Sequence, residues 1–155
     1  MVFIMSKSFE NVFNRIDAIC EVNNKNEDYS FAYNHILSGI INANHDIDDF
    51  DDDQIIDALE NIADKVSDDF HIEFNGNEYR IIHNDSIWGI YVEEIKTIVN
   101  DCYDLKLDKI PSFIAVSIDW EQTAKNAYVD GYGHTFATYD GEEIETKHYH
   151  IFRVN

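Results

Sequence analysis

The sequence predicts an α+β fold in which helices outnumber strands. Three observations carry this. Apolar residues recur at helical spacing in several separate segments. The stretch "FHIEFNGNEYRIIH" alternates at period two around Asn75-Gly76, a strong hairpin signal. The segments "HTFATYD" and "KHYHIFRVN" suggest two more strands on either side of Asp140-Gly141. A central β-hairpin is therefore expected at about 70–83, and a C-terminal β-hairpin at about 134–154. With 155 residues, the chain can bury a sizeable core. The composition suggests an acidic helical part over 1–69 and an α+β part over 70–155, or one continuous elongated domain.

Ser8 is the expected cap of a first helix, whose apolar residues are Phe9, Val12, Phe13, Ile16, Ile19 and Cys20. The polar run "EVNNKNEDYS" ends it. A second helix is expected over 31–42, with Ile36, Leu37, Ile40 and Ile41 inward and Gly39 as a weak point. After the central hairpin, Ser86 opens a helix carrying Ile87, Tyr91, Ile95, Ile98, Val99 and Cys102 on one face. Pro111 suits the first turn of a short helix through Phe113 and Val116. Asp119 and Gln122 read as a capping box for a helix through Trp120, Ala124 and Ala127.

Charge is the unusual property. The formal net charge is −20, while hydrophobic residues make up 45% and aromatics 14% of the chain, a composition that excludes a disordered acidic tail. A folded protein this acidic repels nucleic acid and anionic membranes, and attracts basic surfaces. Adaptation to high salt fits less well, because the acids are clustered in runs. Asp46 to Asp69 holds eleven carboxylates against one lysine, Lys65. Cys20 and Cys102 are isolated thiols, read as reduced core residues. The start has no signal-peptide apolar core and no membrane span is evident, so the cytoplasm is expected, that of the host for a phage or plasmid product.

The acidic stretch admits a metal reading. Asp49, Asp51, Asp53, Asp57 and Glu60 fall at positions 1, 3, 5, 9 and 12 of a calcium loop, but Gln54 stands where the sharp turn needs glycine. A helix accommodates the same residues without that penalty. Asp51 caps it with Gln54 completing the box, Phe50 staples onto Ile55, and Ile55, Ile56, Leu59, Ile62, Ala63 and Val66 form its apolar stripe. Asp57, Glu60, Asp64 and Asp68 then face water. Asp53/Asp57, Glu60/Asp64 and Asp64/Asp68 become like-charge pairs, each costing about 0.2–0.5 kcal/mol. A repulsion that is all one-sided suggests that something besides helix stability favours the run. If the whole stretch is helical, its charge density is roughly one per 3.6 Å, about half that of duplex DNA.

More specific motifs follow. "NEYRIIHNDSIWGIYVEEI" and "LDKIPSFIAVSIDWEQTAKNAYVDGYGHTF" resemble the ArdA-type antirestriction proteins. The matching positions are Tyr79-Arg80, Asp85-Ser86, Tyr91, Glu93-Glu94, Ile110-Pro111, Ile118-Asp119-Trp120-Glu121 and Ala124, then Gly131 and Phe136. "DALENIAD" is also similar to an acidic helix that precedes this region in the family. The first 27 residues lack the family's opening strand and Gly-rich signature, Trp120 replaces a tyrosine, and "FHIEFNGNE" looks like an insertion. The resemblance implies an acidic, non-catalytic homodimer that imitates bent duplex and occupies the DNA channel of type I restriction-modification enzymes.

The candidate partner-binding surface comprises Asp46, Asp48, Asp49, Asp51, Asp52, Asp53, Asp57, Glu60, Asp64, Asp68 and Asp69. Glu93, Glu94, Asp101, Asp104, Asp119 and Glu121 extend it in the second half. The expected partner is a basic DNA-binding protein of the host, with no direct contact to nucleic acid or membrane. The alternative target is another defence protein such as a CRISPR effector. His134, His148 and His150 could form a zinc site, but alternating histidines on an exposed edge strand are commoner. His83, Asp85 and Ser86 lie too close in sequence for a triad, and no nucleophile elbow, zinc-protease or phosphate-loop motif is present. Trp88, Tyr91, Trp120 and Tyr128 read as core rather than as a stacking platform. No catalytic residue, metal or cofactor is expected.

Overall fold

The computed structural model describes residues 5–25, 31–102, 107–129 and 136–155. The fold is α+β, and a four-stranded antiparallel sheet lies at its centre. The strands are β1 (Asp69–Phe74), β2 (Asn77–His83), β3 (Glu143–Glu145) and β4 (Tyr149–Arg153), in the order β1-β2-β4-β3. The central hairpin forms as expected. Asn75 and Gly76 both take positive φ, 49° and 81°, the left-handed pair that a two-residue turn between twisted strands requires.

The alternation of side chains across the sheet separates two cores. Phe70, Ile72 and Phe74 of β1, Tyr79 and Ile81 of β2, and Tyr149 and Ile151 of β4 share one face. Three helices cover that face: α1 (Lys7–Val22), α2 (Phe31–Asn44) and α3 (Asp52–Lys65). The first core thus joins the N-terminal helices to strands that lie beyond position 69. Ile82 and Phe152 project from the opposite face and meet α4 (Ile87–Cys102) and α6 (Trp120–Val129) in a second core with Tyr91, Val92, Ile95 and Ala124. Between α4 and α6, the short α5 (Ser112–Ala115) exposes Phe113 and Ile114, and Val116 just after it is exposed too.

Several sequence expectations need correction. Ser6, not Ser8, caps α1, its hydroxyl accepting from the Phe9 amide at 3.1 Å. Gly39 is no weak point, since a Cβ there would lie 3.0 Å from Thr146 Cγ2 and 3.2 Å from Ile144 Cγ2. Glycine lets α2 approach the β3–β4 hairpin closely. Pro111 stands one residue before α5 rather than within it. Residues 136–140 form turns, and the C-terminal hairpin consists of Glu143–Glu145 and Tyr149–Arg153. Phe136 and Ala137 are both buried, which a half-exposed alternating strand would not permit. β4 is not an edge strand, because β2 and β3 flank it. Among the described residues, no helix is long and apolar enough to cross a membrane.

Candidate acidic interaction surface

α3 begins where the capping box places it. The Asp51 carboxylate accepts from the Gln54 amide at 2.8 Å, and the Gln54 side chain accepts from the Asp51 amide at 3.0 Å. Ile55, Leu59 and Ile62 are fully buried, with Ile56, Ala63 and Val66 at the margin. The Phe50 ring lies 5.0 Å from that of Phe74, so the residue before the cap closes over β1. Asp53, Asp57, Glu60 and Asp64 therefore stand on the exposed side, their carboxylates without a hydrogen bond or ion pair among the described residues.

The rest of the acidic stretch is not one continuous helix. Ile47–Asp49 forms a separate 3-10 turn, and α3 ends at Lys65. Asp68 lies in the exposed bend before β1, so Asp64 and Asp68 are not a pair on one helix. Across its 14 residues α3 carries five acids and Lys65. Its net charge is thus spread at roughly one per 5 Å of axis, about a third of duplex density. The expected density of half that of duplex assumed a continuous helix, and the breaks at both ends lower it.

Other predicted residues have internal roles. Asp46 accepts from the Asp48 amide, Asp48 pairs with Arg15, and Asp52 accepts from Asn23 Nδ2 at 3.1 Å. Asp49 remains exposed. Asp69 is bound by Arg80 through two nitrogens, and Arg80 also reaches Glu94 at 3.4 Å. The Arg80 hydrogen bond holds the Asp69 carboxyl below the usual carboxylate range, outweighing the opposite effect of burial. Glu93 receives Lys96 at 3.0 Å, and Asp101 accepts from Asn100. Asp119 accepts from the Gln122 amide at 3.0 Å, while Gln122 turns its side chain to Asn126, so only half of the predicted box forms. Glu121 is exposed. Asp104, Gly131 and His134 lie outside the described residues.

The structure thus gathers Asp53, Asp57, Glu60 and Asp64 on one helix face. It does not bring the whole predicted set together, because α3 packs on one face of the sheet and α4 and α6 on the other. Sequence reasoning overlooked Arg80 as the residue that neutralises Asp69 and Glu94. The available signal was an arginine placed diagonally to an acid across the hairpin, since Arg80 faces His71 and Asp69 faces Ile82. No family model, curated protein or solved structure matches this chain.

Other candidate chemistry is also placed. Among the described residues, no group of three or more His, Cys, Asp or Glu side chains could hold a metal ion. His150 lies on β4 with its Nδ1 against the Glu143 carboxylate. Cys20 is buried, and its thiol is pushed up by burial and then by Asp17. Tyr91 is buried and Trp120 packs beside the second core, but Trp88 and Tyr128 are exposed, against the expectation that all four belong to the core.

Proposed function

We propose that this protein is an acidic imitator of duplex DNA that occupies the DNA-binding channel of a type I restriction-modification enzyme. The observation that carries the reading is the solvent face of α3, where Asp53, Asp57, Glu60 and Asp64 repeat at intervals of three and four residues with no counter-charge paired to them among the described residues. Such spacing presents carboxylates to a basic channel as a regular row, and the net charge of −20 adds a long-range attraction to it. The resemblance of the Asn77–Phe136 segment to ArdA-type proteins supplies the target class. In this reading the protein catalyses nothing, needs no cofactor and acts in the host cytoplasm. It works as a homodimer, and exposed Phe113, Ile114 and Val116 offer apolar surface for a second copy.

The test is a cleavage assay with a purified type I enzyme and unmodified DNA. Inhibition should be relieved by excess uncleavable duplex and should weaken as salt is raised. Simultaneous binding of protein and duplex to the enzyme defeats the reading. Inhibition of a CRISPR effector, with no effect on restriction, would move the same acidic mechanism to a different target. Light scattering that finds only an 18.1 kDa species at tens of micromolar would remove the dimer from the proposal.

A further inference from the structure

A pocket of about 250 Å³ opens between the second face of the sheet and helices α4 and α6. Its walls include Trp88, Tyr91, Tyr128 and Phe136, with Glu143 and His150 on the strand side. The rings are set as corners, not as a slot. Tyr128 stands at 87° to Tyr91 with centroids 6.0 Å apart, and Phe136 at 78° and 6.1 Å. Trp88 is inclined by 34° to Tyr91 at 5.3 Å. A flat ring is held best between parallel faces, whereas perpendicular walls suit a compact, rounded group.

The chemistry of the walls favours a positive one. Aromatic faces carry negative quadrupole density and attract ammonium and guanidinium groups. Within the same cluster, the Arg80 guanidinium already lies 4.8 Å from the Phe136 centroid, its charge matched by Asp69 and Glu94. Glu143, whose carboxylate also meets His150 Nδ1, then adds negative charge to the wall. The exposure of Trp88 and Tyr128, 36% and 59%, leaves an entrance rather than a sealed core.

We propose that this pocket is a binding site for a small organic ammonium ion, taken either as a free quaternary amine or as a methylated lysine side chain. The site is independent of the α3 surface, which lies across the sheet, and it stands or falls separately from the antirestriction reading.

The experiment is an NMR titration of the full chain with choline, its uncharged isostere 3,3-dimethyl-1-butanol and a trimethyllysine peptide, with sodium chloride matching the ionic strength. Choline should shift the Trp88 indole signal saturably in the millimolar range or below. The neutral isostere should bind at least tenfold more weakly. Trp88→Ala and Tyr128→Ala change exposed side chains, so the fold should persist by circular dichroism while choline affinity falls at least fivefold. Glu143→Gln should weaken choline without altering binding of the isostere. Tenfold tighter binding of the peptide than of choline assigns the ligand to a protein side chain, and the reverse order assigns it to a free amine. Equal affinity for choline and the isostere overturns the proposal, as does the absence of a saturable shift with any cation, or full affinity in a folded Trp88→Ala protein.

Discussion

Arg80 grips Asp69 in a two-point clasp, Nε to Oδ1 at 2.9 Å and Nη2 to Oδ2 at 2.7 Å, and this ties β2 to the first residue of β1. The Arg80 side chain is 18% exposed and that of Asp69 31%, so solvent reaches the acid more than the base. Paired charged hydrogen bonds of this kind are stronger than neutral ones. Arg80→Met should therefore destabilise the fold by about 1.5–3 kcal/mol, because Asp69 and Glu94 would lose their shared counter-charge. Urea unfolding at pH 7 checks this. The native Asp69 carboxyl is held below its unfolded value, so its contribution is complete above about pH 4 and disappears as the pH falls through the native value. The gap between parent and variant should accordingly narrow under acid.

His35 titrates in the opposite setting. Its ring is packed among Phe9, Phe13 and Phe31 and is 1% exposed. Burial lowers its pKa from 6.5 to about 4, with His148 and Lys147 acting in the same direction. The unfolded chain then binds the extra proton first, so this residue makes stability fall as pH drops from about 6.5 to about 4. The total effect is on the order of 3 kcal/mol. Over the same range, partial neutralisation of the many carboxylates relieves repulsion and works the other way. Comparison with His35→Phe isolates the histidine: stability of the variant relative to the parent should rise between pH 7 and pH 4.5. An unchanged difference would show that His35 does not titrate across folding.

Neutralising Asp53, Asp57, Glu60 and Asp64 to Asn or Gln should leave the buried stripe of α3 intact. Relief of the like-charge pairs, each about 0.2–0.5 kcal/mol, is partly offset by losing a favourable charge near the helix start. The melting temperature should move little. The proposed inhibition of a type I restriction enzyme should weaken at least tenfold, equivalent to about 1.4 kcal/mol, while any single replacement has a small effect. A folded quadruple variant with full potency would separate the α3 surface from the activity.

Gly39→Val should destabilise the protein by about 1–3 kcal/mol, despite replacing a poor helix former. The added methyls would meet Thr146, whose hydroxyl is held by the Tyr149 backbone on both sides of the tight connection. Thermal melts of parent and variant decide the matter; an equal or higher midpoint would mean that α2 can move away without loss.

Local chemistry was the legible part of this chain. Asn75-Gly76 prescribes its turn through backbone sterics, and Asp51 with Gln54 prescribes a helix start through two short-range hydrogen bonds, so neither depends on distant residues. The apolar stripes of α1, α3 and α4 were readable for the same reason. What escaped was set by tertiary pairing. Glu143–Glu145 is too short to show alternation, and its strand exists because β4 supplies the ladder. The partition of the acids was equally hidden, since it depends on which face of the sheet each helix covers. Trp88 and Tyr128 have the spacing of core residues, yet they stand exposed at the opening of a pocket.

The placement of β4 between β2 and β3 also sets an order for biosynthesis. β1 and β2 can close as a hairpin once His83 has left the ribosome, but the other edge of β2 stays unpaired until Tyr149–Arg153 follows. About 65 residues intervene, roughly 3–13 seconds of ribosomal elongation. Throughout that interval the nascent chain presents Tyr79, Ile81 and Ile82 beside an open row of backbone amides and carbonyls, a template for pairing with neighbouring chains. Premature stops before Tyr149 should thus yield insoluble product rather than a shortened folded protein, and chaperone demand should last until Tyr149–Arg153 reaches β2.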